Sequence, residues 1–507
     1  MFLKRIQVPE FRALKNIDIS FEQEFSPCIF PLGSLNGGGK STLLQLIFIL
    51  LTCAGDPDKH IFIQNMLEGF QVEETATKKL LVTIYLSDNN QDIILHFFCH
   101  TNEIIINQIN KNEDIKQHQH EQVKFSSLSP IKEVIFEEIL SLEDTISNLH
   151  SILSIIKKML VIKKEEDLRQ ILQDLMRAIE EDKTLIDNFR NKFTEIIKDR
   201  DKVNLSHYQL RRLESLTNKT IIKKQKQLDK LLTKKESIEL ESEKILCELQ
   251  KDNTAYVCNY IVNKHEKQEF AILCQIKSQE IIEVETLFKQ ISKKLFLAAP
   301  LTQVFLFLEK DTTKLLFRGN SQDKMNYYQT IEDTKKKLPN LFTYDILAVD
   351  LIIELIKSAR DKDFKQAIES GEYGSTYIST LKELNSLLSN KKINIDSDLF
   401  GVNFKIEQDN ETKELYPEDL SHGELKRLSI YVWLKYNNIE DSIVLMDEIE
   451  NAFHPDWQYQ IISDLENWGA TNQYILATHS YELCQALTPS HVKEIEPNLL
   501  LKENLEN

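Results

Sequence analysis

Apolar and polar positions alternate through Phe2-Leu3-Lys4-Arg5-Ile6-Gln7-Val8 and again from Ile17 to Phe21, the period of half-buried strands. Cys28-Ile29-Phe30-Pro31-Leu32 is a continuous apolar run and predicts a buried strand. Leu43 to Leu51 is apolar apart from Gln45 and predicts a buried helix. Leu80–Leu86, Asp92–Cys99 and Glu103–Ile106 alternate or run apolar between polar turns, which predicts a three-strand antiparallel meander at the edge of the domain. From about Ile131 to Phe296 glycine and proline vanish. Apolar residues there recur at helical spacing through Leu149, Ile152, Leu153, Ile156 and Leu160, then through Leu168, Ile171, Leu172, Leu175 and Ile179.

Between Ile221 and Leu249 a partial seven-residue repeat appears. Ile221, Leu228, Lys235, Ser242 and Leu249 form one set; Lys224, Leu231, Ile238 and Ile245 form the other. Six of these nine are apolar, enough for a short imperfect coiled coil. Strand patterns return at Gln303–Glu309 and Lys314–Phe317, so the helical stretch reads as an arm inserted into an α/β domain. Helical segments near Tyr344–Ala359 and Gly374–Leu388 and a strand at Val402–Gln408 follow. The expected division is an N-terminal lobe over 1–125, a helical arm over 126–300 and a C-terminal lobe over 301–507.

Composition narrows the class. A length of 507 residues suits two or three domains, and the net charge of −17 argues against a protein that coats nucleic acid without specificity. Lys219, Lys223, Lys224, Lys226, Lys230, Lys234 and Lys235 still make one end of the arm basic, as a solvated helix face or a DNA-contacting tip. The seven cysteines are scattered with no C-x-x-C pair, which predicts reduced thiols and a cytoplasmic location. No signal-peptide core is expected at the N-terminus, and the longest apolar run, Leu43 to Cys53, is too short to span a bilayer, so no membrane partner is expected.

The candidate chemistry starts between the buried strand and the buried helix, at Gly33-Ser-Leu-Asn-Gly-Gly-Gly-Lys-Ser-Thr42. A glycine-rich turn lets backbone N–H groups close on phosphate oxygens, and the helix N-terminus adds a positive dipole end. Asn36, Gly37, Gly38, Gly39 and Thr42 would line the phosphates, Lys40 would reach the β- and γ-phosphates of ATP, and Ser41 would bind Mg²⁺. The first glycine of the usual motif is replaced by Ser34, with Gly33 one residue early. Upstream, Arg12 lies in a turn between two strands, as a nucleotide contact or a solvated turn residue. Downstream, Leu420-Ser421-His422-Gly423-Glu424 predicts a helix start, with Ser421 and Glu424 spaced as a capping box. Ile443-Val444-Leu445-Met446 predicts a buried strand that ends in Asp447 and Glu448, where open α/β sheets bind ligands. Asp447 would hold the metal, and Glu448 would act as general base toward water. A loop, a helix with Trp457 and Ile461, and a last strand at Tyr474–Ala477 lead to Thr478-His479-Ser480, where His479 would sense the γ-phosphate.

Phosphate loop, Leu-Ser-x-Gly-Glu, apolar-Asp-Glu and Thr-His-Ser in this order resemble the ABC-type ATPases, in the branch of chromosome-condensation, recombination-repair and OLD-type ATPases. The likeness covers residues 1–106 and about 300–485. It implies a P-loop ABC-type ATPase domain of α/β class split by a helical, partly coiled-coil insertion. It also implies ATP and Mg²⁺ as cofactors and head-to-tail pairing, with Lys40, Ser41, Asp447, Glu448 and His479 in one half-site and Ser421 and Gly423 completing the neighbour's. His422 inside the signature departs from the family pattern, and the family's Q-loop glutamine has no assigned position. The arm is too short for the hinged coils of condensation proteins. The 28 residues after His479 carry no acidic metal cluster, so the nuclease domain of OLD proteins is not expected.

This size looks most like the ATPase subunits of anti-phage systems such as Septu, PARIS and ATPase-bearing retrons, which implies a slow regulatory ATPase controlling a separate effector, often a nuclease. The competing readings are a repair ATPase that clamps DNA and a module that binds ATP but scarcely hydrolyses it.

Overall fold

The chain forms two units, residues 1–101 with 249–507, and residues 102–248. The computed structural model describes residues 1–34, 37–73, 76–88, 91–108, 119–128, 131–161, 171, 191, 195, 206–263, 268–278, 284–304, 307–308, 321–344, 349–396, 401–408 and 411–495.

The first unit opens with β1 (Phe2–Phe11), β2 (Leu14–Ser20), β3 (Ile29–Gly33) and the helix Lys40–Cys53. Every residue of that helix from Leu43 to Cys53 is buried. A helix with no polar stripe needs cover on all sides, and two sheets together with the helices His60–Leu67 and Val284–Lys293 supply it. One is antiparallel and includes β4 (Lys78–Asp88) and β5 (Gln91–Thr101). The pairs β6 (Glu103–Gln108) and β7 (Gln119–Lys124) belong to the second unit. With β8 (Thr254–Asn263) and β9 (Gln268–Ser278), the antiparallel sheet has the order β2-β1-β4-β5-β9-β8.

The other sheet is parallel throughout. Its strands are β10 (Leu295–Ala299), β11 (Leu341–Thr343), β15 (Ile443–Asp447), β16 (Gln473–Ala477) and β17 (Lys493–Glu494) beside β3, in the order β11-β10-β15-β16-β3-β17. The strands numbered between are β12 (Lys391–Ile395), β13 (Val402–Gln408) and β14 (Glu411–Leu415), a small antiparallel sheet. The pleat divides β15 between two cores. Ile443 and Leu445 join the core around Lys40–Cys53, whereas Val444 and Met446 face Ile430, Trp433, Ile461 and Leu465 of the helices His422–Tyr436 and Pro455–Trp468. A third core joins the helices Val349–Ser370 and Thr376–Ser386 to the small sheet.

Three sequence expectations change. The third strand of the expected meander, β6, pairs with β7, and β9 takes the free edge of β5 instead. The stretch from 254 to 278, expected within a helical arm, is the strand pair β8–β9. No glycine or proline marks the turn between them, which is why the helical pattern seemed continuous. The strand expected from Gln303 is a helical turn, Leu301–Val304, and the strand lies earlier, at β10. The expected strand Lys314–Phe317 lies outside the described residues.

In the second unit the helix Ile131–Val161 packs antiparallel to the helix His207–Lys251. Leu149, Ile152, Ile156 and Met159 meet Leu210, Leu213 and Ile221, and the Lys235 ammonium lies 5.4 Å from the Phe136 ring centre. All nine positions of the seven-residue repeat are buried or half-buried, including Lys224, Lys235 and Ser242, so the repeat marks the packed face. Lys219, Lys223, Lys226, Lys230 and Lys234 are exposed. Of the second helical run, Ile171 packs against this core; Leu168, Leu172, Leu175 and Ile179 lie outside the described residues.

One buried ion pair fixes the helices beneath the parallel sheet. Arg427 donates through Nε and Nη2 to the Asp464 carboxylate at 2.7 and 2.9 Å. Asp464→Ala would leave the guanidinium buried without its counter-charge, and a stability loss of about 3–5 kcal/mol is expected from the urea midpoint.

Candidate active site

The C-terminal ends of β3, β15 and β16 lie side by side because these strands are parallel neighbours. Beyond β3 the chain turns through Gly37 and Gly39, both left-handed, with φ of 80° and 92°. A side chain at Gly39 would also collide with Leu14, whose Cδ2 lies 2.7 Å from the Cβ position. The β1–β2 turn that carries Arg12 therefore rests on the phosphate loop. Arg12 itself donates to the Met66 carbonyl at 2.7 Å and lies over the Phe11 ring. Gly38 is buried in the loop and Thr42 is half-buried in the first helical turn. Asn36 lies outside the described residues.

Lys40 is 6 % exposed, and its ammonium donates to Ser34 Oγ at 3.0 Å and to the Ser34 carbonyl at 3.3 Å. The serine that replaces the usual glycine thus holds the loop lysine. His479 Nδ1 is 3.4 Å from the same ammonium. Burial pushes the Lys40 ammonium down in pKa, against Glu450, Asp447 and Glu448, which favour its charge. Ser41 Oγ donates to Asp447 Oδ1 at 3.0 Å. The Asp447 carboxyl is pushed up to about 7, first by burial and then by Glu448 and Glu450, with the Ser41 bond and Lys40 opposing. A serine hydroxyl beside a carboxylate is an all-oxygen donor pair of the kind Mg²⁺ takes, so the residues fit the ion.

Glu448 sits at φ 50°, a left-handed turn that ends β15. Its N–H donates to the Ala477 carbonyl at 2.9 Å, and its Oε2 accepts from Asn451 Nδ2 at 2.7 Å. Glu450 is buried, and its Oε1 accepts from the His479 N–H at 2.6 Å.

Ser421 caps the helix His422–Tyr436 in the predicted capping box. Its Oγ accepts from the Glu424 N–H at 3.2 Å, and its own N–H donates to Glu424 Oε2 at 3.0 Å. Lys391 anchors the same carboxylate at 2.7 Å. Ser421 and His422 are exposed, and among the described residues the Ser421 side chain bonds Glu424 alone. Gly423 is buried for a packing reason: a Cβ there would meet the Ala452 carbonyl oxygen at 2.9 Å and the Trp457 ring at 3.0 Å. Lys426, one turn on, donates to the Glu448 carbonyl at 2.9 Å and the Asn451 carbonyl at 3.1 Å, with the Tyr344 ring centre 4.0 Å away. The signature helix and the loop after Asp447 are thereby one block.

The structure brings Lys40, Ser41, Asp447 and His479 together, with Glu448 beside Asp447. No hydrogen bond among the described residues joins Ser421 or Gly423 to them. Three residues passed over in the sequence stand out. Glu450 follows Asp447 by three positions, a spacing that returns to the site only because Glu448 turns left-handed. Lys426 looks like an ordinary helix lysine until its carbonyl partners are seen. Gln303 follows β10, the neighbour of the Asp447 strand, and accepts from Gln45 of the phosphate-loop helix at 2.9 Å.

Residues 35–485 match the family described as "AAA domain, putative AbiEii toxin, Type IV TA system". The chain belongs to this family. It is an AAA-domain protein of α/β class with a long helical insertion. A curated relative, "Retron Vc95 probable ATPase" of Vibrio cholerae serotype O1 biovar El Tor, is 43% identical over 53 residues, which span 10% of this chain and 10% of the relative. Matches among solved structures include the Smc head domain with an extended coiled coil bound to the C-terminal domain of ScpA from Pyrococcus furiosus, at 11% identity and a TM-score of 0.30, covering 96% of this chain and 91% of that one. The Smc head domain with a coiled coil and joint from Pyrococcus yayanosii matches at 13% identity and a TM-score of 0.29, covering 96% and 93%. Among the described residues no helix is long and apolar enough to cross a membrane.

With its carboxyl raised to about 7, folded Asp447 holds a proton that the unfolded chain releases near pH 4. Ionising it therefore destabilises the metal-free fold progressively as pH rises from about 4 through about 7. Asp447→Asn is expected to raise the melting temperature of the metal-free protein at about pH 8, and to lose that gain as pH falls toward about 4. Calorimetry across pH checks this; a gain independent of pH contradicts the burial argument.

Proposed function

We propose that this AAA-family ATPase is a regulatory enzyme that closes head to tail on a second copy with ATP between them, and so controls a partner effector in anti-phage defence. The observation that carries the reading is the separation of the two motifs. Lys40, Ser41, Asp447 and His479 converge on one sheet edge, while the exposed cap at Ser421 has no bond to them. Two copies arranged head to tail would bring each Ser421 cap to the other's Lys40. A helix N-terminus facing phosphate supports that pairing physically. The match to the retron ATPase supports the defence context, and the effector, a nuclease or other toxin, is part of the proposal.

In this reading Gly37, Gly38, Gly39 and Thr42 line the phosphates with Arg12 and Asn36 at their margin, and Lys40 leaves Ser34 to meet the terminal phosphates. Ser41 and Asp447 hold Mg²⁺, which would neutralise charge on the β- and γ-phosphate oxygens. Glu448 accepts the proton of the attacking water, and His479 contacts the terminal phosphate. Gln303 fills the place of the Q-loop glutamine. Slow turnover is part of the proposal, and the hydrogen bond that ties Glu448 to Asn451 supports it. A second reading, a repair ATPase clamping DNA, draws on the exposed lysines Lys219, Lys223, Lys226, Lys230 and Lys234.

Glu448→Gln is expected to lower turnover by about 10²-fold or more while retaining ATP binding. With ATP, that variant is expected to elute as a dimer or higher oligomer and, purified from its native cells, to retain a stoichiometric partner protein. Recovery of duplex DNA without a partner protein favours the clamp. Unchanged turnover in the variant supports a binding module instead.

A further inference from the structure

Glu450 has no place in the reading above, yet it is one of the most constrained side chains at the site. The left-handed Glu448 turn, the Asn451 N–H to Glu448 carbonyl bond at 3.2 Å and the Phe453 N–H to Glu450 carbonyl bond at 3.0 Å fold the loop back on itself. The Glu450 carboxylate is thereby directed to the end of β16. It is 8 % exposed. Oε1 accepts the His479 N–H at 2.6 Å, and Oε2 is buried with no hydrogen-bond partner among the described residues.

A purely structural role, capping one main-chain N–H, accounts for the first oxygen and leaves the second unexplained. A buried carboxylate oxygen without a donor is costly. An asparagine or a threonine would cap the same N–H at lower cost. The carboxylate is also the anion that most favours charge on Lys40, ahead of Asp447 and Glu448. Its Oε1 bond to the His479 N–H, with His479 Nδ1 3.4 Å from the Lys40 ammonium, places it beside both.

We propose that Glu450 is a positioning residue of the ATPase centre: Oε1 fixes the main chain of His479, and Oε2 accepts a hydrogen bond from a water held between His479 and Lys40. The assignment deepens the ATPase reading and rests on it. Glu450 makes no bond to the nucleotide and takes no proton; it holds the histidine and a water in register with the phosphate end of the site.

The two oxygens can be separated by substitution in the full-length chain. Glu450→Gln keeps an acceptor for the His479 N–H and turns the second oxygen into a donor; Glu450→Ala loses both. Wild type and variants are compared for steady-state ATP hydrolysis with Mg²⁺, for affinity toward a fluorescent ATP analogue, for melting temperature and for amide exchange at His479. Glu450→Gln is expected to bind the analogue within about twofold of wild type and to protect the His479 amide, while kcat falls about tenfold with KM unchanged. Glu450→Ala is expected to lose protection at His479 as well and to fall further in kcat. Wild-type kcat in Glu450→Gln overturns the role of the second oxygen, and a protected His479 amide in Glu450→Ala overturns the role of the first. Should Glu450→Gln not fold, Glu450→Asp, too short to reach His479, carries the test: reduced kcat with exposed His479 supports the assignment and unchanged kcat overturns it. A wild-type chain that binds the analogue but never hydrolyses ATP overturns the ATPase reading and this inference together, whereas wild-type turnover with an indifferent Glu450 overturns the inference alone.

Discussion

The helix after the phosphate loop carries no polar face, and its enclosure on all sides shapes the first unit. Leu43 to Cys53 are all buried, so one sheet cannot suffice. The antiparallel sheet covers one side and the parallel sheet the other. The parallel sheet is assembled from strands far apart in the chain, with β3 next to β16 and β16 next to β15. Because parallel strands share a direction, the loops at their C-terminal ends meet at one edge. The Ser41–Asp447 bond, between residues 406 positions apart, is the chemical result of that packing demand.

That edge gathers charge unevenly. The buried Lys40 ammonium faces Asp447, Glu448 and Glu450. Nucleotide phosphates would add more negative charge, which the lysine and the helix N-terminus would not balance alone. Burial raises the Asp447 carboxyl, and Glu448 and Glu450 push it further in the same direction. A divalent ion held by Ser41 and Asp447 would relieve the imbalance.

Most of the site was legible in the sequence because its parts are local. The phosphate loop needs consecutive glycines, the cap needs Ser421 three residues before Glu424, and the β15 strand announces Asp447 by four apolar residues. The seven-residue repeat likewise located the packed face of the Ile221–Leu249 helix even where lysine or serine occupied it. What was not legible depends on distant partners. Nothing near β6 says that its neighbour is β7, and β8–β9 turn without glycine or proline. The contacts of Lys426 and Glu450 form only once Glu448 adopts a left-handed backbone, and a glutamate gives no warning of that.

The Lys426 bridge has a consequence for how such a molecule can change over time. Its ammonium holds the carbonyl of Glu448 on one side, while its own helix begins at the exposed Ser421 cap. The surface offered outward and the loop that follows Asp447 therefore share one support. Neither can drift without disturbing the other, so a substitution tolerated at the cap has to leave the Glu448 backbone where Lys426 holds it.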